Sequence, residues 1–224
     1  WIIDDFLPTD MAQDAAAYFY TGTGEWIKRH HLYSRHKRTR VMGMGLPVEA
    51  ALEALECPGM LAYVSALTGV KGLHADPMRF GGGQHVTTQG GSLGIHADFT
   101  HHPQTGMRRA LNLLLYLNDC KSGGLEMWDE RVRQRRQLVL PMFNRAVIFK
   151  TSTTSFHGHP EPLVERERLS LAVYYYVESL KKQEPPATPY AWIGGSILRT
   201  TDYRPRPWEY KLRVRKWVSK LVKG

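Results

Sequence analysis

The chain has 224 residues, 42% apolar and 11% aromatic, which suits one domain with a real core and argues against wholesale disorder. Its longest apolar runs, such as AVIF and LAVYYYV, fall well short of the ~20 residues that span a bilayer, and WIIDDFLPTD carries acids where a secretory leader carries bases. Thirty basic against 21 acidic residues give a net charge of +9, gathered in KRHHLYSRHKRTR (28–40), RVRQRR (131–136) and YRPRPWEYKLRVRKWVSKLVKG (203–224). Such clusters suit an anionic partner, or serve solubility alone.

Thr9 ahead of DMAQDAAAYF reads as the cap of a first helix. PVEAALEALECPGMLAYVSALTG (47–69) has Leu, Ala and Met at helical spacing, with a break at Pro58-Gly59. From about Met78 the pattern becomes short strands joined by glycine turns: MRF, GGG, HVTTQ and GGSLGIHADF. RRALNLLLYLND (108–119) reads as a strand closed by an Asn118-Asp119 turn, although its leucines also suit a helix. LEMWD, RRQLVLP, RAVIFK and LSLAVYYYVE follow as strands, with Asn144-Arg145 as a hairpin turn between LVLPMF and AVIFK. The expected fold is mainly β with supporting helices: helical support over 1–75 and a sandwich or barrel over about 76–180. KKQEPPATP (181–189) reads as a linker into a basic tail ending at 224. There Trp208, Leu212, Trp217 and Leu221 would lie on a membrane surface or acidic partner, or pack as a terminal helix. The two cysteines, Cys57 and Cys120, suggest no disulfide scaffold and fit a reducing cytoplasm.

The chemistry gathers in LGIHADFTHH. In a strand, residues i and i+2 share a face, so His96 and Asp98 can reach one ion. Two histidines and a carboxylate with open positions suit non-haem Fe(II). TSTTSFHGHPEPL offers His157 or His159 as the third ligand. Arg168 follows His157 by eleven residues on an apolar strand, where a buried guanidinium needs an anion and its fork matches a carboxylate. Ser170 faces the same way and adds a hydroxyl. Asn112 and Tyr116, four apart on one strand, face one way. His101 and His102 fall in a loop beyond the ligand pair, suited to surface or substrate contact. Arg79, Gln84 and His85 read as pocket or turn residues, Trp128 as packing at a sheet edge, and Arg145 as a turn residue or anion contact.

HADF, RRALNLLLYLND, GGLEMWD, PMFNRAVIF, SFHGHPEPL and RLSLAVYYY occur in that order. The series resembles the Fe(II)- and 2-oxoglutarate-dependent dioxygenases, in particular the prolyl-4-hydroxylase-like branch, over roughly residues 78–178. The resemblance implies a double-stranded β-helix, or jelly roll, with iron in its mouth. It implies His96, Asp98 and His157 as ligands, with His159 behind them. Arg168 and Ser170 would hold the far carboxylate of 2-oxoglutarate, with Asn112 or Tyr116 contributing hydrogen bonds to its head. The cofactors would be Fe(II), 2-oxoglutarate and O2, with ascorbate in support. The expected reaction hydroxylates a C–H bond of a peptidyl, sugar or other small substrate and releases succinate and CO2. Because Asp98 is intact, hydroxylation is expected over halogenation.

Two rivals remain at this point. AlkB-like nucleic-acid demethylases share His-x-Asp but carry a second arginine six residues after the first, where this chain has Tyr174. A non-catalytic jelly-roll module for an anionic glycan, lipid or protein would use its metal structurally, and a closed structural site normally supplies four protein ligands. The expected location is cytoplasmic, with peripheral membrane contact through the tail.

Overall fold

The computed structural model describes residues 1–31, 34–179 and, for their backbone, 190–193 and 196–199. The 181–189 linker and the 203–224 tail lie outside the described residues. The elements run β1 (Ile2–Ile3), α1 (Thr9–Ala17), β2 (Ile27–His31), β3 (Ser34–Arg40), α2 (Leu46–Glu56), α3 (Pro58–Thr68) and β4 (His74–Ala75). They continue as β5 (Gly83–Ala97), β6 (Arg108–Tyr116), β7 (Leu125–Trp128), β8 (Arg135–Val139), β9 (Ala146–Lys150), β10 (His157–His159), β11 (Glu167–Val177), β12 (Tyr190–Ile193) and β13 (Ser196–Arg199).

The main strand order is β1-β9-β6-β11-β5-β10-β7-β8, antiparallel throughout. β5 belongs to both halves of this curled sheet. Its residues 83–88 pair with β11, and further along Leu93 and His96 pair with β10. Gly90 (φ 75°) lies within it, and a side chain at Gly91 would meet Thr87 Cγ2 at 2.5 Å. Glycines that read as turns between short strands instead let one long strand change sheets. The result is a jelly roll with helices on one outer face.

Alternation along the strands explains how a two-sided sheet buries nearly everything. On β11, Leu169, Leu171, Val173 and Tyr175 face outward and join Leu111, Leu113, Leu115, Ala146 and Ile148 against the helices. Val48, Ala51, Leu52 and Leu55 of α2 are fully buried in that layer. An 11-residue helix is marginal alone; the stripe's burial, about 1.5–3 kcal/mol per large side chain, holds it. The inner face carries Tyr116, Leu125, Val139, Val147 and Phe149, and on β11 the alternate residues Arg168 and Ser170.

Several local expectations change. Thr9 lies inside α1; the cap position is Pro8, with no side-chain cap bond. The break after α2 falls at Cys57, whose sulfur accepts from the Met60 N–H, and Pro58 opens α3, where its missing donor costs nothing. Within the basic run 28–40, residues 28–31 lie in β2 and 34–40 in β3, which pair with each other, and β3 also pairs with β5. Its charge hid a strand because Arg38 and Arg40 lay their guanidinium groups over the Trp26 ring, 5.6 and 4.4 Å from its centre. β12 pairs with β5 at Ala97 and His96, so β strand continues beyond position 180. Both cysteines are free, Cys57 exposed and Cys120 buried.

Asn144-Arg145 is not a hairpin turn, since β8 pairs with β7 and β9 with β6. Asn144 is fully buried with φ 58°, its Oδ1 accepting from Leu7 N (3.0 Å) and its Nδ2 donating to Leu7 O (2.8 Å). Arg145 is engaged by Asp4. Asn144→Ala should therefore cost about 2–4 kcal/mol, from two stranded backbone groups and a left-handed residue without its asparagine, read as a lower urea midpoint with unchanged slope.

Candidate metal and anion site

The end of β5 and the short β10 lie side by side, with His157 directly opposite His96. Their rings are 4.6 Å apart between centres. His96 Nε2 lies 3.4 Å from Asp98 Oδ1, and His157 Nε2 lies 3.5 Å from Asp98 Oδ2. One ligand atom from each of the three residues falls within 4.8 Å of the others. Each imidazole Nδ1 sits against a backbone carbonyl two residues earlier, Gly94 O at 2.9 Å and Ser155 O at 2.8 Å. A proton on Nδ1 donated to that carbonyl leaves the Nε2 lone pair facing the common centre, which is the state a metal needs. Burial pushes the His157 pKa down to about 4 against the opposing pull of Asp98, so this ring is neutral near pH 7.

Arg109, which sequence reading missed, stands behind Asp98. Its Nη2 donates to Asp98 Oδ2 (3.0 Å), and its Nε donates to Asn112 Oδ1 (2.6 Å). Asn112 Nδ2 also donates to Asp98 Oδ2 (2.8 Å), and Thr151 donates to Asn112 Oδ1 (3.1 Å). The guanidinium is held between the Tyr174 and Phe99 rings, 3.3 and 4.6 Å from their centres. Burial alone would push the Asp98 carboxyl up, but Arg109, His157 and His96 hold it well below the usual carboxylate range. Strand alternation would send Arg109 and Asn112 to opposite faces. The β6–β11 register shifts between Tyr175 and Tyr176, opposite Leu111 and Arg109, so the intervening Ala110 is bulged and both side chains turn inward. No sequence signal marks that bulge.

Asn112 thus supports Asp98 from behind. Arg109→Met should weaken divalent-metal affinity by about 10- to 100-fold while leaving the three ligands in place, measured by competition with a chelating dye.

Arg168 is 7% exposed, and its Nη1 donates to Gly123 O. Its Nε has no hydrogen-bond partner among the described residues, and burial pulls the guanidinium below its usual pKa with no described carboxylate opposing. Tyr116, also buried, presents its ring 5.8 Å from the guanidinium carbon. Ser170 lies buried between Tyr116 on β6 and His85 on β5. A buried cation without a counter-ion among the described residues is costly, and an acidic ligand would relieve it. The residues present therefore fit both a divalent ion and an organic acid.

Other singled-out residues have structural partners. Arg79 bridges Glu49 and Glu56 of α2. Gln84 donates to Phe19 O, and His85 Nε2 lies 3.0 Å from Gly81 O. Trp128 donates to Glu126 and packs on a small cluster with Ile95 and Phe156. His102 is buried rather than a mouth residue: its Nδ1 accepts from the Gln104 and Thr105 N–H groups, and its Nε2 lies 3.3 Å from Asp76. His101 is half-buried and its Nδ1 lies 3.1 Å from Thr100 Oγ1. His159 is 2% exposed, outside the three-residue metal set, and neither ring nitrogen has a partner.

A curled antiparallel roll thus sets two histidines and a carboxylate that could hold one ion on the same inner face as a buried arginine. Residues 82–176 match the family model of the 2OG-Fe(II) oxygenase superfamily, and that segment contains all of these groups. Solved structures agree in fold. A prolyl-4-hydroxylase from Pseudomonas putida is 16% identical with a TM-score of 0.56, over 80% of this chain and 92% of that one. HygX from Streptomyces hygroscopicus, solved with nickel and 2-oxoglutarate, is 14% identical with a TM-score of 0.55, over 82% and 84%. A 2OG-Fe(II) oxygenase family oxidoreductase from Burkholderia pseudomallei is 11% identical with a TM-score of 0.53, over 78% and 84%. The sequence matches no curated protein.

Proposed function

We propose that this chain is an Fe(II)- and 2-oxoglutarate-dependent dioxygenase that hydroxylates a C–H bond of a peptidyl or small-molecule substrate carrying an anionic group. The carrying observation is a buried Arg168 with no carboxylate partner among the described residues, on the inner face of the roll that also holds His96, Asp98 and His157. In this reading the two Nε2 atoms and one Asp98 oxygen hold the iron. Arg168 seats the distal carboxylate of 2-oxoglutarate, with Tyr116 and Ser170 alongside. Bound together, iron and 2-oxoglutarate supply the oxidising power that converts O2, co-substrate and substrate C–H into succinate, CO2 and alcohol. The chain's own work is orientation: Gly94 and Ser155 carbonyls fix the ring tautomers, and Arg109 with Asn112 keeps Asp98 ionised and aimed. The apolar inner layer of Phe149, Val147 and Leu125 keeps water out.

The substrate class rests on charge. β3 runs beside β5 and carries exposed Arg35 and His36. Nucleic-acid demethylation is less favoured, because position 174 supplies a tyrosine whose ring holds Arg109 and whose hydroxyl donates to Gly81 O (3.0 Å). Two free thiols support a cytoplasmic location, and the cluster at 203–224 supports contact with an acidic surface. The function is tested by incubating the protein with Fe(II), ascorbate and labelled 2-oxoglutarate. Labelled succinate should form, rise when cell extract is added, and accompany products heavier by one oxygen; its absence with and without extract would refute the reading.

A further inference from the structure

The sheet row that carries Arg168 contains a second cation. Lys37 on β3 and Arg168 on β11 both pair with Thr87 on the strand between them. Directly paired residues project to the same face of a sheet. That face is the inner one, because the alternate residues Arg38 and Arg40 turn the other way onto Trp26. A register shift between Arg35 and Lys37, with His36 at φ 50°, sets this alternation. His159 faces the row from β10. It is 2% exposed, neither Nδ1 nor Nε2 has a partner among the described residues, and the positive charges of both Arg168 and Lys37 act on it. Arg168 Nε is unpartnered as well. Buried polar groups are rarely left bare, and here both are nitrogen donors that an anionic oxygen would satisfy.

We propose that His159 and Lys37 complete, with Arg168, a three-sided pocket for the distal carboxylate of 2-oxoglutarate. His159 donates its ring N–H to one carboxylate oxygen, Arg168 donates from its guanidinium, and Lys37 supplies a second positive charge. The pocket thereby selects 2-oxo dicarboxylates over 2-oxo monocarboxylates. This rests on the co-substrate assignment above, and the test separates the two.

The test is calorimetric titration of Mn(II)-loaded protein with 2-oxoglutarate and with 2-oxopentanoate, which has a methyl group in place of the distal carboxylate. His159→Leu should weaken 2-oxoglutarate by about 10- to 100-fold, the worth of one hydrogen bond to a charged group, and leave 2-oxopentanoate unchanged. His159→Gln, which keeps an N–H donor, should recover most of the loss. Lys37→Met should weaken 2-oxoglutarate several-fold, less so at high salt. If either His159→Leu or Lys37→Met leaves 2-oxoglutarate binding unchanged, or weakens both ligands equally, the pocket assignment is wrong. If His159→Leu does not fold, His159→Gln and Lys37→Met carry the same ligand comparison. Wild type and Arg168→Met are titrated alongside. Loss of binding at Arg168 without effect at 37 and 159 sinks only this inference, whereas wild type that binds no 2-oxoglutarate sinks the co-substrate assignment and this inference with it.

Discussion

Asp98→Ala should abolish metal-dependent turnover. The substitution leaves two imidazoles to hold the ion and removes its anionic ligand. Loss of a supporting hydrogen bond behind a ligand already costs about 10- to 100-fold in metal affinity, so loss of the ligand should exceed that range. Succinate formation from 2-oxoglutarate should fall below detection. The substitution also strands the Arg109 cation between Phe99 and Tyr174, where an unpaired buried charge is expensive. Some loss of stability is therefore expected, and Asp98→Asn, which keeps a carbonyl oxygen for Arg109, separates the effects. Asp98→Asn should melt close to wild type and still bind metal poorly. Either variant binding Fe(II) at wild-type affinity would remove the carboxylate from the site.

Arg168→Met should move stability and function in opposite directions. In the protein without an anion, Arg168 is a buried cation that donates a hydrogen bond to Gly123 O. Exchange for an unbranched apolar side chain removes that desolvation cost, so the melting temperature should hold or rise. The same exchange removes two charge-assisted hydrogen bonds to the co-substrate. At about 1.5–3 kcal/mol each, KM for 2-oxoglutarate should rise by roughly 100-fold or more. A variant that melts lower and keeps its KM would show that Arg168 is a structural strut. The stability arm is read by thermal denaturation without metal or co-substrate, and the kinetic arm by succinate formation.

What could be read from sequence depended on whether strand parity held. Arg168-x-Ser170 obeys period-2 alternation within β11, and Asp98, one residue past the end of β5, still falls beside His96. The apolar pattern of β6 and β11 also gave strands in the right places. Parity failed wherever the ladder shifts register. The bulge at Ala110 brought Arg109 behind Asp98, and a basic run that looked solvated became β3 because guanidinium groups can lie flat on Trp26. Glycine was ambiguous for the same reason. At Gly90 and Gly91 it lets β5 cross from one sheet to the other, whereas its frequency in turns suggested ends. Asn144 illustrates a further limit: its partner Leu7 lies 137 positions away, and no local pattern predicts that contact.

The most direct measurement is a crystal structure grown with Mn(II) and 2-oxoglutarate. The account predicts one ion bound by Nε2 of His96, Nε2 of His157 and a carboxylate oxygen of Asp98, with the dicarboxylate chelating that ion and ending on the Arg168 guanidinium. An ion held through His159, or a dicarboxylate seated away from Arg168, would contradict it.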